Sequence, residues 1–363
     1  MIKQISTIQT SIPLEEVNPA PIWADEYENQ LFVITQSDEN FGYGQILTSA
    51  LNISAAYVSF VEAFRDFLVG KDEEKIKTHS EKMFRLVFNG GYGVTTGAIG
   101  GIDMSLWDLL SRKRKTSLAN YLGSKNENVV RYASLPRYKN SEDTINVIEK
   151  LFNNGYRKIK LHQNYIQSLE VVKVINGMYD DLDVMIDLSC TLDEKKAVKF
   201  LNEVSRYEVK YVEEPVFPPN DYKLLKRLNR IHPVAGGENV YTIKEFQYCI
   251  ENEVFSVLQP DLSKIGGVTK ALEVLKLARV LKLPISFHSR PDNGWVQVAA
   301  SAQVASLYGD LGSVESPPNI IPRQYFNSEL GVTPNHIQIR GQGIGLRPKE
   351  ELPAPKKAKF LVV

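Results

Sequence analysis

Between residues 129 and 317, short apolar runs alternate with amphipathic stretches, and this repeat constrains the fold more than any other feature. Alternation of strand and helix implies a parallel sheet whose two faces are both covered by helices. Eight strands at this spacing favour a closed α/β barrel, although a doubly wound open sheet has the same periodicity. The eight runs are VVRYAS, YRKIKLH, DVMIDLS, VKYVEEP, HPVAGGEN, FSVLQPD, PISFHS and GSVESP.

Seven of these runs end at an ionisable residue, and successive members lie 23 to 27 residues apart. One strand–helix unit has about this length, so the seven side chains are predicted to share the rim at the carboxyl ends of the strands. In α/β barrels that rim holds the active site. A single charge at a strand end can be a plain surface residue, but seven in phase indicate one site. The residues are Lys160, Asp187, Glu213, Glu238, Asp261, His288 and Glu315.

The chain is predicted to have three parts, with the barrel in the middle. The first part mixes short strands such as Leu31–Thr35 with three helical patterns. The last of these patterns, at 95–112, places apolar residues such as Ile102 and Leu106 on one face. The predicted boundaries give an N-terminal α+β domain at 1–125, a barrel at 126–325 and a C-terminal segment at 326–363.

Asp187, Glu213 and Glu238 are the candidate metal ligands, because they end three successive predicted strands. Adjacent strands lie about 4.8 Å apart, so three carboxylates at one level would crowd together. They cannot all stay ionised without a counter-charge, and a hard divalent cation with oxygen ligands, Mg²⁺, supplies it. The alternative is a salt-bridge network with Lys160 and Lys264.

Asp261 and His288 form a second candidate pair, on adjacent predicted strands. A carboxylate that binds one imidazole nitrogen fixes the tautomer and leaves the other nitrogen to move protons. On the other side of the metal ligands, Lys160 and His162 have the same strand parity and are both predicted to point into the barrel. His162 would then face His288 across the site.

Two bases on opposite faces of one substrate carbon suit a reaction next to a carboxylate. One base removes the α-proton, and the other returns a proton or helps a leaving group to depart. Because this α-proton is very weakly acidic, the enediolate must be strongly stabilised. Mg²⁺ and Lys160 are predicted to stabilise it electrostatically.

Composition excludes several other classes of function. Lys plus Arg and Asp plus Glu both number 43, so no broad field favours nucleic acid or an anionic membrane. No apolar window is long enough to span a membrane, and no secretory signal is visible at the N-terminus. Two cysteines, Cys190 and Cys249, imply no disulfide framework and fit a cytoplasmic protein.

The chain resembles the enolase superfamily, mandelate racemase subgroup, over nearly its whole length. The resemblance rests on GAIGGIDMSLWDLLSRK, KLH, MIDLS, VEEP, GGEN, QPDLSKIGGVT, SFH and SVES. It implies a modified (β/α)7β TIM-type barrel, an N-terminal capping domain, a C-terminal segment that returns to the cap, and a homo-oligomer. It also implies that Glu213 rather than Glu214 is the metal ligand and that Asp261 and His288 form the catalytic dyad.

The same resemblance assigns substrate contacts. It implies that Glu315 hydrogen-bonds the substrate carboxylate. Lys160, from its place on the strand, is predicted to contact the substrate carboxylate or the metal-bound oxygen. The resemblance further implies that cap loops near Pro21–Trp23 and at 42–52 close over the substrate and set specificity, which makes Trp23 a candidate contact. Asn239 and Arg290, just past the rim, are two further candidates.

Two positions depart from the subgroup pattern. The second strand usually reads Lys-x-Lys, whereas this chain has Lys160-Leu-His162. An imidazole needs less tuning of its pKa than a lysine to act as a base, but the racemase mechanism does not transfer directly. Ser189 stands two residues past Asp187, where Asn is common. This departure is predicted to change either a contact to the metal ligands or a substrate contact, without removing the metal.

The predicted function is therefore a Mg²⁺-dependent dehydratase of an acid sugar, an aldonate or aldarate. Either His162 or His288 removes the α-proton and the other protonates the departing 3-hydroxyl, which gives a 2-keto-3-deoxy acid. A racemase, epimerase or cycloisomerase would use the same enediolate. Two further alternatives are a Schiff-base lyase with Lys160 as nucleophile and a catalytically silent binding protein.

Overall fold

The computed structural model describes residues 1–13, 22, 27–47, 53–179, 181–290 and 294–356. The N-terminal part begins with an antiparallel three-stranded sheet in the order β1-β2-β3. The turn between β2 and β3 falls in the DENFGYG sequence, so the predicted hairpin is present. The strands are β1 (Gln4–Pro13), β2 (Tyr27–Ser37) and β3 (Asn40–Ile46).

In the described residues four helices follow this sheet, and the third packs against both the sheet and the barrel helices. Ile102 and Leu106 are buried as predicted, but so is every residue from Thr95 to Ser111, because the helix packs between the first sheet and the barrel helices. Its glycines allow close approach: a Cβ on Gly44 of β3 would lie 2.0 Å from the Gly101 carbonyl oxygen. The helices are α1 (Ser54–Leu68), α2 (Ile76–Leu86), α3 (Val94–Lys113) and α4 (Leu118–Tyr121).

Eight parallel strands form the barrel, and all eight predicted runs become strands. Each strand pairs with the next along the chain, and the last pairs in parallel with the first, so the barrel is closed and the open-sheet alternative is wrong. The strands are β4 (Asn128–Ser134), β5 (Lys158–Leu161), β6 (Asp183–Asp187), β7 (Val209–Glu213), β8 (Val234–Gly236), β9 (Val257–Leu258), β10 (Ile285–Phe287) and β11 (Gly312–Ser316).

Helices connect the barrel strands, and no helix follows β11 in the described residues, which matches the (β/α)7β pattern. Several helices begin where a short polar side chain accepts a hydrogen bond from the first turn, as Asn140, Asp193 and Thr242 do. The helices are α5 (Ser141–Asn153), α6 (Tyr165–Ile175), α7 (Glu194–Val204), α8 (Tyr222–Asn229), α9 (Ile243–Glu251), α10 (Leu262–Ile265), α11 (Gly267–Leu281) and α12 (Trp295–Ala305), with a 3₁₀ helix at Ser306–Leu311.

The C-terminal segment runs back across the first domain. The Phe326 ring packs edge-on against Phe32 of β2, and the Thr10 hydroxyl donates to the Pro353 carbonyl oxygen at 2.7 Å. The exact boundaries of the three predicted parts stay predictions. The strands of this segment are β12 (Phe326–Ser328), β13 (Gly331–Val332), β14 (His336–Gln338) and β15 (Leu346–Pro348).

None of the helices in the described residues is both long enough and apolar enough to cross a membrane.

Candidate active site

The seven predicted rim residues all lie at the carboxyl ends of the barrel strands or just beyond them. Register explains why they meet: Asp187 pairs directly with Glu213 between β6 and β7. Six of them are buried and Glu238 is half-buried, so most of these charged side chains are shielded from solvent. In such an environment each charge needs a partner, which makes every contact in the cluster informative.

Lys160 lies at the centre of one half of the cluster. Its Nζ atom is 2.7 Å from Glu213 Oε2, 2.9 Å from Glu315 Oε1 and 3.7 Å from Asp187 Oδ2. Burial lowers the pKa of Lys160, but Glu213 and Glu315 raise it well above its usual value. The lysine is therefore a fixed cation. Ser134 at the end of β4 donates to Glu315 at 2.5 Å and holds that carboxylate in place.

His162 bridges the backbone and the acid cluster. Its Nδ1 lies 2.7 Å from the Leu135 carbonyl oxygen, and because a carbonyl only accepts, Nδ1 carries the proton. Its Nε2 faces Asp187 Oδ2 at 3.0 Å. The Ser189 backbone N–H donates to the other Asp187 oxygen at 2.7 Å. Nε2 is thus the nitrogen available for proton transfer, on the side of the site next to β5 and β6.

Asp261 and His288 form the predicted pair. Asp261 Oδ2 lies 2.7 Å from His288 Nδ1, and His288 Nε2 lies 3.3 Å from Glu238 Oε2. Burial lowers the pKa of His288, but Glu238 and Asp261 raise it to about 9. Asp261 Oδ1 in turn accepts from Ser263 and from Gln297 Nε2, the latter at 2.8 Å. His288 is therefore also held through Nδ1 and presents Nε2 to the acids.

A third group surrounds Glu238. Lys264 forms an ion pair with it, so both lysines of the predicted salt-bridge alternative do contact the acids. Glu214 has a positive φ of 37° and accepts from Asn239 at 2.8 Å and from the Cys190 thiol at 3.1 Å. Burial and the neighbouring Glu238 raise the pKa of Glu214 to about 8. Asn239 therefore orients Glu214, while its role as a substrate contact stays a prediction.

The donor atoms fit a divalent cation. Glu213, Glu238 and His288 each offer one ligand atom, and these atoms lie within 4.8 Å of one another. Glu213 Oε1 is buried and makes no hydrogen bond, and such an unsatisfied carboxylate oxygen suits a metal ligand. Burial also raises the pKa of Glu213 well above its usual value, which a bound cation would oppose.

Asp187, the third predicted ligand, does not belong to this closest group. In this structure it binds His162 and Lys160, and these two neighbours outweigh burial and lower its pKa. Its pairing with Glu213 across β6 and β7 keeps it within the same cluster. The assignment of Asp187, Glu213 and Glu238 as the metal ligands stays a prediction.

The remaining predicted contacts have mixed outcomes. Trp23 and the 48–52 part of the predicted closing loop lie outside the described residues. Ser189 and Asn239 contact site residues, and Arg290 is half-buried just past β10. Ser189 has a positive φ of 47°, which an Asn side chain also tolerates well.

Sequence reasoning missed several polar residues of the site. Gln259 donates to Glu213 at 2.5 Å, and its position two residues before Asp261 on the same strand parity was a usable signal. Arg137 donates to the His162 carbonyl oxygen at 2.9 Å, and Gln297 binds Asp261. Arg137 lies in a loop and Gln297 in a helix, where no strand periodicity marks them.

The fold and the site together define a capped parallel α/β barrel with a buried acid cluster between two histidines. Comparison with known proteins identifies the family. Residues 143–352 match the family described as Enolase C-terminal domain-like. Residues 16–123 match the family described as Mandelate racemase / muconate lactonizing enzyme, N-terminal domain. The chain belongs to the enolase superfamily, in the mandelate racemase subgroup.

Individual relatives are distant but cover most of the chain. The D-gluconate dehydratase of Thermoproteus tenax is 26% identical over 93% of this chain and 73% of its own length. The crystal structure of the 3,6-anhydro-D-galactonate cycloisomerase from Zobellia galactanivorans has a TM-score of 0.84 at 23% identity and covers 96% of both chains. That of L-talarate dehydratase from Polaromonas sp. JS666, complexed with Mg and L-glucarate, has a TM-score of 0.80 at 19% identity, over 96% of this chain and 95% of that one.

Proposed function

We propose that this protein is a Mg²⁺-dependent dehydratase that converts an acid sugar, an aldonate or aldarate, into a 2-keto-3-deoxy acid. One observation carries the proposal: His162 and His288 are both held through Nδ1 and both present Nε2 to the buried acids. Two proton-transfer groups on one cluster are what removal of an α-proton and protonation of a leaving hydroxyl require. The name of the 26% identical relative, a D-gluconate dehydratase, supports the same reaction class.

The cation of Lys160 and the carboxyl group of Glu315 would bind the substrate carboxylate. Lys160 contributes a fixed positive charge at the point where negative charge develops when the α-proton leaves. Asp187, Glu213 and Glu238 would hold Mg²⁺. When bound, Mg²⁺ supplies positive charge that lowers the free energy of the developing enediolate.

The proposed reaction requires two proton transfers, one at each histidine's Nε2 atom. One imidazole accepts the C2 proton, and the electron pair of that C–H bond becomes available to form the C2–C3 double bond. The C3–O bond then breaks while the other imidazolium protonates the departing hydroxyl, so that one water leaves. The resulting enol tautomerises to the 2-keto acid. The geometry of the two Nε2 atoms is compatible with either assignment of base and acid.

Cycloisomerisation is the second candidate, since one structural neighbour and one 24% identical relative, from Streptomyces coelicolor, are named anhydrogalactonate cycloisomerases. It would begin with the same proton removal and form no free water. A Schiff-base mechanism is not favoured, because Lys160 is fully buried and bound to two carboxylates, whereas a nucleophilic amine must be neutral.

The test is a screen of aldonates, aldarates and anhydro-sugar acids with Mg²⁺ and with EDTA. Semicarbazide detection of a 2-keto acid that forms from an aldonate or aldarate only with the metal supports dehydration. Proton NMR in D₂O reports α-proton exchange and ring opening in the same samples. A 2-keto acid that forms only from an anhydro-sugar acid, by breaking of the ring C3–O bond without loss of water, would replace dehydration by the second candidate. Exchange without any keto-deoxy product would replace it by racemisation. Turnover in EDTA that borohydride traps covalently would contradict both.

A further inference from the structure

We infer that Gln297 is a positioning residue for the Asp261–His288 pair, and that Gln45 links its position to the N-terminal domain. This inference rests on the proposed function, because it assigns Gln297 a role in the proton transfer carried out by His288. Both glutamines are fully buried. Gln45 lies on β3 of the first sheet, whereas Gln297 lies in the first turn of barrel helix α12.

Gln297 donates hydrogen bonds to both residues of the pair. Its Nε2 atom donates to Asp261 Oδ1 at 2.8 Å and to the His288 carbonyl oxygen at 3.1 Å. Because both partners are acceptors, the amide can only be oriented with its nitrogen towards them. One side chain therefore fixes the Asp261 carboxylate relative to the backbone of His288, and so sets the direction of the 2.7 Å bond between Asp261 Oδ2 and His288 Nδ1.

Gln297 is also held from the other side. Its backbone N–H is in the first turn of α12 and has no partner inside the helix, since the residue before the helix, Gly294, has no capping side chain. Gln45 Oε1 accepts this N–H at 3.0 Å, and Gln45 Nε2 donates to Gln30 Oε1 at 3.3 Å. The first sheet thus caps a barrel helix through a side chain from another domain.

Gly294 makes this contact possible. A Cβ at this position would lie 2.1 Å from Gln30 Oε1 and 2.4 Å from Gln45 Nε2. Any larger residue would push the glutamine pair away from the start of α12. The contact between the first sheet and the start of α12 therefore depends on a glycine at position 294.

Gln297 differs from a structural glutamine of the same helix in its partners. Its Oε1 atom is buried and accepts no hydrogen bond, but Gln303 Nε2 is also buried and donates none, so this cost does not single out Gln297. What singles it out is that its Nε2 atom bonds to both Asp261 and the His288 backbone. Methionine has a similar length and no amide, so a Met substitution removes these bonds and keeps most of the volume.

The test compares Gln297→Met with Gln303→Met. Gln303 is a matched control, because it is equally buried in the same helix but bonds to the Ala119 N–H, away from the pair. With the substrate found in the screen, Gln297→Met is expected to lower kcat by about tenfold or more while KM changes little, because a misplaced proton-transfer group slows the chemical step. Gln303→Met is expected to leave kcat within about twofold of wild type. Equal effects of the two substitutions on kcat would overturn the role of Gln297.

A second readout needs no turnover and separates this inference from the proposed function. In ¹⁵N-histidine-labelled protein, the Nδ1–H resonance of His288, assigned with His288→Asn, is expected to move in Gln297→Met and to stay in place in Gln303→Met. If wild type turns over no acid sugar, the proposed function fails, and this resonance alone decides the inference. An unmoved resonance in Gln297→Met would overturn it.

The link to the first domain is tested by Gln45→Met, which also serves if Gln297→Met does not fold. Gln45→Met is expected to shift the same resonance and to lower kcat. Combined with Gln297→Met it should add nothing, because both substitutions break one chain of contacts. Independent, multiplicative effects of the two substitutions, or a Gln45→Met protein identical to wild type, would overturn the link.

Discussion

His162 Nε2 lies 3.0 Å from Asp187 Oδ2, so the residue that departs from the usual Lys-x-Lys pattern directly contacts a predicted metal ligand. The Leu135 carbonyl oxygen fixes its tautomer from the other side. A lysine at this position could not be held through a ring nitrogen in this way. A histidine here therefore has a ring nitrogen, Nε2, whose direction is fixed, and under the proposed function this atom takes the place of a flexible lysine amine.

The two histidines are expected to have separable tasks. His162→Asn and His288→Asn should each lower kcat by about 10²- to 10⁴-fold, the usual contribution of a general acid or base. In D₂O, the variant that lacks the base should lose α-proton exchange together with dehydration. The variant that lacks the acid should keep exchange and lose only dehydration. NMR of substrate incubated with each variant makes the distinction.

His336→Asn is the matched control for this pair. His336 is exposed at the start of β14, and it bonds to Thr333 through its backbone. It should retain wild-type kcat. Wild-type exchange and turnover in either His162→Asn or His288→Asn would remove that residue from the mechanism.

Lys160 is expected to be essential for stability when no metal is present. Lys160→Met would leave Glu213 and Glu315 buried without their shared cation, and breaking a buried pair costs on the order of 3–5 kcal/mol. Urea unfolding in EDTA measures the change. Lys158→Met, at the partly exposed start of the same strand, should cost about 1 kcal/mol or less. Equal stability of the two variants would contradict this account of the cluster.

The strand ends explain how much of this site could be read from sequence. Parallel strands must present their carboxyl ends at one rim, so in-phase residues such as Asp187, Glu213 and Asp261 were predictable from spacing. Burial of α3 on all sides was not predictable from the sequence. It depends on close contacts between α3 and the glycines of β3, and such contacts produce no alternation of polar and apolar residues along the helix. Gln297 was also invisible, since its partners lie 36 and 9 residues away in sequence, on different elements.

The metal ligands can be separated from their neighbours by binding. Predicted ligands Asp187, Glu213 and Glu238 supply the oxygen donors that Mg²⁺ prefers, whereas the closest donor group in the structure contains His288 in place of Asp187. In wild type, Mg²⁺ at about 100 times Kd should add about 2.7 kcal/mol of stability. Asp187→Asn, Glu213→Gln and Glu238→Gln are expected to abolish most of this gain, as measured by thermal unfolding with and without Mg²⁺.

Two variants control for charge and for the imidazole. Glu214→Gln changes the acid next to Glu213 that contacts Asn239 and Cys190, and His288→Asn removes the nitrogen donor. Both should keep the Mg²⁺-dependent gain in stability. Loss of the gain in His288→Asn but not in Asp187→Asn would show that the histidine, and not the aspartate, completes the ligand set.

Asp103, which is not one of the rim residues, should make stability depend on pH. It is fully buried in α3 and accepts from the Thr269 N–H at 2.9 Å and from the Thr269 hydroxyl at 2.5 Å. Burial outweighs these bonds and raises the pKa of Asp103 to about 7, above the value of about 3.9 expected in the unfolded chain. The folded state therefore holds this proton more tightly. The resulting stabilisation is complete below pH 3.9 and is lost as the pH rises through about 7.

Asp103→Asn isolates this effect from those of the other titratable groups, because Asn has no proton to lose. The stability of wild type relative to Asp103→Asn is expected to fall by about 2–3 kcal/mol between pH 5 and pH 8. Urea unfolding of both proteins at the two pH values, in the same buffer and at the same ionic strength, measures the difference. A constant difference would mean that hydrogen bonds from Thr269 keep Asp103 ionised in the folded protein, so that α3 contains a buried charge and not a buried acid.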